Sequence, residues 1–203
     1  NKVTNVEFSP DGTKLASIST DHMIVLWDVK NKKMLGEPLQ GGIGSVSNVV
    51  FSPDGKILAS ACSVGRVYLW DVEEREILDI LGRPGQDHRD AVKHISFSPD
   101  GAILASASLD GTVILWDVNK RKLLGKSSQG HQKMLSHISF SPDGSKLASA
   151  SNDGVLVLWD VKNRQMIEKL GRPSSMTWSF VSHVTFSPDG TKLASISNND
   201  QLI

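Results

Sequence analysis

The chain has 203 residues, 39% of them hydrophobic, with 22 basic residues balanced by 22 acidic ones. A chain of that length can bury a sizeable core, and its lack of net charge removes the electrostatic argument for nucleic acid or an anionic membrane as partner. Cys62 is the single cysteine, so no internal disulfide can form, and no membrane-length apolar run or N-x-Ser/Thr acceptor occurs.

Taken in chain order, the first elements set a pattern that then recurs. β-Forming residues run from Val3 to Phe8, Leu15 to Ser19 and Ile24 to Trp27, with a weaker strand at Lys33 to Leu35. The corner between the first two is Ser-Pro-Asp-Gly, in which Pro sets φ, Asp favours the turn and Gly takes the left-handed position. FSPDG begins at Phe8, Phe51, Phe97, Phe140 and Phe186, giving spacings of 43, 46, 43 and 46. Trp-Asp pairs begin at Trp27, Trp70, Trp116 and Trp159. A period in the forties marks a repeat architecture, and the alternation of 43 with 46 points to duplication of a pair of repeats 89 residues long.

The clearest copy is Phe97 to Asp117, FSPDGAILASASLDGTVILWD, followed by Gly130-His131. Together, FSPDG, LAS, the Asp-Gly turn, LWD and Gly-His resemble the WD40 repeat of β-propellers, in the highly similar tandem form met in prokaryotic signalling proteins. The resemblance covers essentially the whole chain. It implies an all-β propeller of four-stranded antiparallel blades, with repeats at about 1–39, 40–83, 84–128 and 129–172 and a truncated fifth at 173–203. The chain opens at Asn1 and stops before a fifth Trp-Asp. A fragment of a larger ring is therefore expected, or a chain that completes its ring with other copies.

The family's hydrogen-bonded tetrad maps onto His88, Ser106, Asp110 and Trp116 in the third repeat and onto His131, Ser149, Asp153 and Trp159 in the fourth. On this reading Asp orients His, His meets Ser, and the indole N–H closes a buried network. The first repeat keeps Ser17, Asp21 and Trp27, whereas the second has Val64 for the Asp and Gly42 for the His, and the fifth has Thr177 and Asn199. A hydrolase triad would need an exposed nucleophile and an oxyanion site, and a set that recurs once per repeat argues for structure. His88-Arg89-Asp90 spells a kinase tripeptide without the other kinase signatures. No catalytic residue and no cofactor are expected.

A column of His94, His137 and His183 stands three residues before the phenylalanines, where the first two repeats carry Asn5 and Asn48. Three imidazoles on neighbouring inner strands could hold a transition metal, although structural zinc usually takes four ligands and a hydrogen bond across the blade interface explains the column better.

In WD-repeat proteins the loops entering the first strand and joining the second to the third share one face, where partners dock. Here those positions are Ile43 and Ser45, Arg89 and Ala91, Gln132 and Met134, Trp178 and Phe180, with Thr20, Ser63, Leu109, Asn152 and Asn198. Arg89, Met134, Trp178, Phe180, Leu109 and Asn152 are the candidate contacts, because Trp, Met, Phe and Arg anchor interfaces. The expected function is a non-catalytic scaffold that binds proteins or peptides, in the cytoplasm, without nucleic acid or membrane. The alternatives are a self-assembling fragment joined through open blade edges, or a binder of a small ligand or metal at the channel.

Overall fold

The computed structural model describes residues 2–40, 44–82, 88–125, 128–171 and 180–197, of which 128 and 129 are described by their backbone alone. Every regular element among them is a β-strand. The first sheet contains β1 (Val3–Phe8), β2 (Lys14–Ser19), β3 (Met23–Asp28), β4 (Lys33–Met34) and β5 (Leu39–Gln40). The second contains β6 (Val46–Phe51), β7 (Ile57–Cys62), β8 (Val67–Asp71) and β9 (Ile77–Leu81). The third contains β10 (Val92–Phe97), β11 (Ile103–Ser108), β12 (Thr112–Asp117), β13 (Lys122–Leu123) and β14 (Ser128–Gln129). The fourth contains β15 (Leu135–Phe140), β16 (Lys146–Ser151), β17 (Leu156–Asp160) and β18 (Gln165–Leu170). A last pair, β19 (Val181–Phe186) and β20 (Leu193–Ser197), starts a fifth sheet whose expected third strand lies outside the described residues. All pairings are antiparallel, and each sheet runs in sequence order from its inner strand outward.

The expectation of four strands per repeat holds for the second and fourth sheets and is modified in the first and third. There the outer strand is split in two, and both pieces pair with the third strand (β4 and β5 with β3, β13 and β14 with β12). The cause lies in the glycines. Gly36 and Gly125 interrupt the outer edge with φ of 67° and 85°, whereas Gly82 and Gly171 follow the completed strands β9 and β18. The 43/46 alternation is thus an alternation of broken and continuous outer strands.

The Ser-Pro-Asp-Gly corners repeat in atomic detail. Ser98 Oγ donates to Asp100 Oδ1 at 2.6 Å and accepts the Ile103 amide at 2.9 Å, while the Gly101 amide closes the turn on the Ser98 carbonyl at 2.8 Å. The same serine hydroxyl and the following amides pull the carboxyls of Asp11, Asp143 and Asp189 down to about 2.

Sheet packs on sheet by setting large residues against small ones. Ala16 and Ile18 of the first sheet meet Val49, Phe51, Leu58 and Trp70 of the second. Ala59 and Ala61 of the second meet Ile95, Leu104 and Trp116 of the third, and Ala105 and Ala107 of the third meet Ile138, Leu147 and Trp159 of the fourth. Cys62 belongs to the first of these cores, and burial pushes its thiol up to about 11, as befits a small apolar residue.

An irregularity common to all five sheets lies in the inner strand. The register shifts between Val3 and Asn5, Val46 and Asn48, Val92 and His94, Leu135 and His137, and Val181 and His183. Such a bulge re-aims the residues beside it. At the bulged position Ser47 and Ser136 donate to the carbonyls of Val92 and Val181 in the next sheet, while Lys93 stands there in the third.

Gly65 shows how tightly the turns between second and third strands meet the neighbouring sheet. A Cβ there would sit 2.3 Å from the His88 carbonyl oxygen, and its φ is +81°, whereas Gly12, at φ +69°, has nothing within 4 Å. Gly12→Ala should cost about 1 kcal/mol of left-handed strain alone, and Gly65→Ala about 2–4 kcal/mol, because backbone must also move. Urea denaturation of the two variants measures the difference, and equal losses would show that the contact carries no energy.

Candidate functional site

The face of interest is built by the loops entering the inner strands, and the first question is what holds those loops. In each of the first four sheets the residue after the second strand donates its amide to the entering loop: Thr20 to Lys2 O at 3.0 Å, Ser63 to Ser45 O, Leu109 to Ala91 O and Asn152 to Met134 O at 2.9 Å. Serine side chains double this clasp, Ser108 Oγ donating to Asp90 O at 3.0 Å and Ser151 Oγ to Met134 O at 3.1 Å.

Beneath the clasp lies the polar network. The indole Nε1 donates to serine Oγ in four successive sheets, Trp27 to Ser17 and Trp159 to Ser149 at 2.8 Å, Trp70 to Ser60 and Trp116 to Ser106 at 2.9 Å. His88 Nε2 lies 2.7 Å from Ser106 Oγ, and His131 Nε2 lies 2.7 Å from Ser149 Oγ. Gly130 is required beside His131 because a Cβ would fall 2.4 Å from the Trp159 ring.

The carboxylate does not bind the histidine as expected. In the third sheet Asp110 Oδ1 is 3.6 Å from His88 Nδ1, and Thr112 stands between them. His88 Nδ1 is 2.8 Å from Thr112 Oγ1, which donates to Asp110 Oδ1 at 2.6 Å. Because an ionised carboxylate only accepts, Thr112 must give it the hydroxyl proton, and His88 then carries its own proton on Nδ1 and accepts from Ser106 at Nε2. Donors therefore run one way, from Trp116 through Ser106, His88 and Thr112 to Asp110. Burial alone would raise the Asp110 carboxyl. The side chains of His88 and Thr112 and the amides of Arg89 and Thr112 outweigh burial and hold it far below the usual carboxylate range.

In the fourth sheet Val155 occupies the place of Thr112. Asp153 accepts the Val155 amide at 3.1 Å, and His131 Nδ1 is buried without a hydrogen-bond partner. Burial lowers His131 to about 4, against the upward pull of Asp153. Of the residues mapped onto the other repeats, Gly42, Thr177 and Asn199 lie outside the described residues, while Asp21 accepts from Ser19 Oγ.

The histidine column is real, and its rings meet at a tilt of 35° and 43°. The rings of His94 and His137 are 3.8 Å apart between centroids, and those of His137 and His183 4.9 Å. Of their nitrogens, His137 Nδ1 accepts the Val184 amide at 3.5 Å, as Asn48 Oδ1 accepts that of Ile95 at 3.1 Å, His183 Nδ1 lies 3.2 Å from Ser182 Oγ, and His94 Nδ1 is buried without a hydrogen-bond partner. Among the described residues, no group of three or more His, Cys, Asp or Glu could hold a metal ion. Burial first, and then the neighbouring imidazoles, lower His94 well below its ordinary value; burial lowers His137 to about 4.

Arg89, Met134 and Phe180 enter β10, β15 and β19, the inner strands of three consecutive sheets, which contact one another in turn. Met134 is 47% and Phe180 41% exposed, Arg89 and Asn152 are exposed, and Leu109 is half-buried. Trp178, like Ile43 and Asn198, lies outside the described residues. Cavities of about 750, 370 and 340 Å³ open elsewhere, along the outer rim near Arg75 and beside the Ser-Pro-Asp-Gly corners. Sequence reasoning missed a set of clamps on that rim: Arg75 and Arg121, at positive φ, donate to the carbonyls of Leu35 and Leu78 in the preceding sheet. An arginine at one position of the turn after the third strand, repeated as Arg164, was the available signal.

A stack of small antiparallel sheets, each braced to the next at its inner strand, is what a propeller consists of, and the sequence comparison agrees. The family described as Echinoderm microtubule-associated protein second beta-propeller matches residues 3–184. The chain belongs to this β-propeller family. Comparison with curated proteins finds no match. Among the described residues, no helix is long and apolar enough to cross a membrane.

Two measurements test how this propeller is braced. Thr112→Val should cost about 1–3 kcal/mol by orphaning His88 Nδ1, whereas Val155→Thr should gain about 0.5–1.5 kcal/mol by giving His131 the missing link to Asp153. No gain from Val155→Thr would mean that the relay adds nothing. The second concerns pH. His94, His131 and His137 resist protonation in the folded state, so the unfolded chain binds more protons below its ordinary imidazole value near 6.5. Stability should be full above that pH and fall as pH drops toward about 4, while the depressed Asp110 acts only at lower pH. Replacing His94 and His137 by Asn, the residue of the first two sheets, should flatten the fall of the urea midpoint between pH 6.5 and about 4.

Proposed function

We propose that the chain is a non-catalytic scaffold that holds proteins or peptides on its loop face. The observation that carries this reading is the exposure of Met134, Phe180 and Arg89 at one end of three consecutive inner strands, on loops whose backbone is clasped by the adjacent turn in the third and fourth sheets. Exposed Met, Phe and Arg give a contact surface with apolar bodies and one charge, and a clasped backbone loses little freedom on binding. Leu109 and Asn152 extend that surface, and Trp178 stands two residues before Phe180 in the sequence.

Catalysis is disfavoured by the same geometry. Ser106 and Ser149 are fully buried, and each oxygen is already engaged by an indole and an imidazole. His88-Arg89-Asp90 is a structural segment, its histidine in the network and its arginine amide 2.7 Å from Asp110 Oδ2. A protein or peptide partner, in the cytoplasm and without nucleic acid, membrane or cofactor, fits a chain with no net charge.

Selection of displayed peptides against the chain, followed by affinity measurement with Arg89→Ala, Met134→Ala and Phe180→Ala, tests the assignment. Selected peptides should lose about tenfold or more in affinity with Met134→Ala or Phe180→Ala, as expected for interface anchors. Peptides that bind all three variants as tightly as the parent would place the binding surface elsewhere.

A further inference from the structure

The outer rim carries a groove whose lining the repeat does not dictate. It lies between the first and second sheets and holds about 750 Å³, within the range of sites that take a ligand. One wall is the segment between β4 and β5, where Gly36 breaks the outer strand, and the other is the turn between β8 and β9 with the start of β9. Leu39 and Trp70 line it and belong to the core between the two sheets, while Ile77, also in its lining, is 48% exposed. The groove therefore reaches from the rim down to apolar core side chains.

Its charge is one-sided. Glu37, Glu74 and Glu76 line it and are exposed, and none of them forms an ion pair among the described residues. Arg75 is the one cation among the described residues of the lining, and its guanidinium is already engaged, donating to Leu35 O at 2.9 Å. Gly36 makes room for that contact, since a Cβ there would collide with Nη1. Three unpaired carboxylates beside apolar surface attract cationic groups and repel acidic ones.

The second pair of repeats shows that the fold does not impose this chemistry. Positions 89 residues further on keep the frame, with Gly125, Gln129, Trp159 and Arg164 for Gly36, Gln40, Trp70 and Arg75. The rest of the lining changes. Lys126, Asn163 and Gln165 stand for the three glutamates, and Ser127 and Ser128 for Pro38 and Leu39. What packing requires is repeated, whereas the acidic and apolar lining belongs to the first pair alone.

We propose that this groove docks a basic segment of a partner protein, an apolar side chain seated against Leu39, Trp70 and Ile77 while flanking Lys or Arg residues pair with Glu37, Glu74 and Glu76. Exposed carboxylates select and steer such a segment, and the apolar contact slows its release. The site is separate from the loop face.

Binding of the full chain to an array of random-sequence synthetic peptides tests this, beside a variant carrying Glu37→Lys, Glu74→Asn and Glu76→Gln. Those replacements already stand at the matching positions of the second pair; if circular dichroism shows the variant misfolded, Glu37→Gln with Glu74→Gln serves in its place. Peptides with Lys or Arg beside an apolar residue should bind the parent, lose about tenfold or more in affinity with the variant, and bind Met134→Ala and Phe180→Ala as tightly as the parent. Raising the salt concentration should weaken them, and Ile77→Ser should weaken them at every salt concentration. Basic peptides that bind the triple variant as tightly as the parent overturn the proposal. So does an array in which the peptides indifferent to Met134→Ala and Phe180→Ala carry no excess of Lys or Arg. Growth in mass of the chain alone, abolished by the triple variant, would name a second copy as the occupant and overturn it as well. None of these outcomes requires the loop face to bind anything, so that assignment stands or falls separately.

Discussion

The second, third and fourth sheets of this chain are each covered on both faces by a sheet of nearly the same sequence. One face therefore carries bulk and the other makes room for it. Phe51, Leu58 and Trp70 fill the space left by Ala16 in the preceding sheet, and Leu104, Ile114 and Trp116 fill that left by Ala59 and Ala61. Burial of such side chains contributes about 1.5–3 kcal/mol apiece before cavity effects. A change on either face must be matched on its neighbour, which keeps the Leu-Ala-Ser and Leu-Trp-Asp stretches alike along the chain. It also fixes where variation is free: in the loops and on the outer strand, where Gln165 to Lys169 are all exposed.

Polar groups caught between the sheets are placed by the same constraint and then have to be satisfied. Serine in the middle of the second strand is fully buried in three of the sheets, and it survives there because an indole N–H from the neighbouring strand meets it. In the second and fourth sheets the bulge of the inner strand solves a related problem, turning one serine toward the next sheet's carbonyl and bringing the column residue onto the next sheet's amide. Histidine at the column position gives ring contacts at the cost of burying groups that charge in mild acid. His94 shows the cost most plainly, with Nδ1 enclosed and no partner for it.

Much of this was legible in the sequence because it rests on residue types that have few alternatives. Pro-Asp-Gly at five equivalent places, the Trp-Asp pairs and the alternation of spacing located the strands to within a residue or two; Val3–Phe8 has the expected bounds and Lys14–Ser19 begins one residue earlier than expected. The pairing of His88 with Ser106 and of His131 with Ser149 was likewise expected, in that case from the resemblance to the WD40 repeat and its tetrad. The role of Thr112 was not. A threonine beginning a strand is ordinary by propensity, and only three dimensions show that its hydroxyl falls between an imidazole and a carboxylate. The bulges were hidden for a similar reason, because a one-residue shift leaves the alternation of a short apolar strand almost unchanged. Split outer strands could have been read from Gly36 and Gly125, whose positions relative to the preceding Trp-Asp differ from those of Gly82 and Gly171.

The candidate surface was legible only as positions, and the physical reason bears on how such a surface works. Exposed loop residues are not constrained by packing, so nothing in the repeat pattern fixes Arg89, Met134 or Phe180. Rigidity comes from beneath, since the Leu109 and Asn152 amides hold the backbone of the loops carrying Arg89 and Met134 whatever their side chains are. The cavities near Arg75 and the Ser-Pro-Asp-Gly corners do not touch those side chains. A surface held this way exchanges side chains at little cost to the fold, and the faces between sheets do the opposite: Ala16, Phe51 and Trp70 are tied to the packing of one sheet on the next. The loop residues are therefore free to diverge, while the residues between sheets are bound to remain complementary to their neighbours.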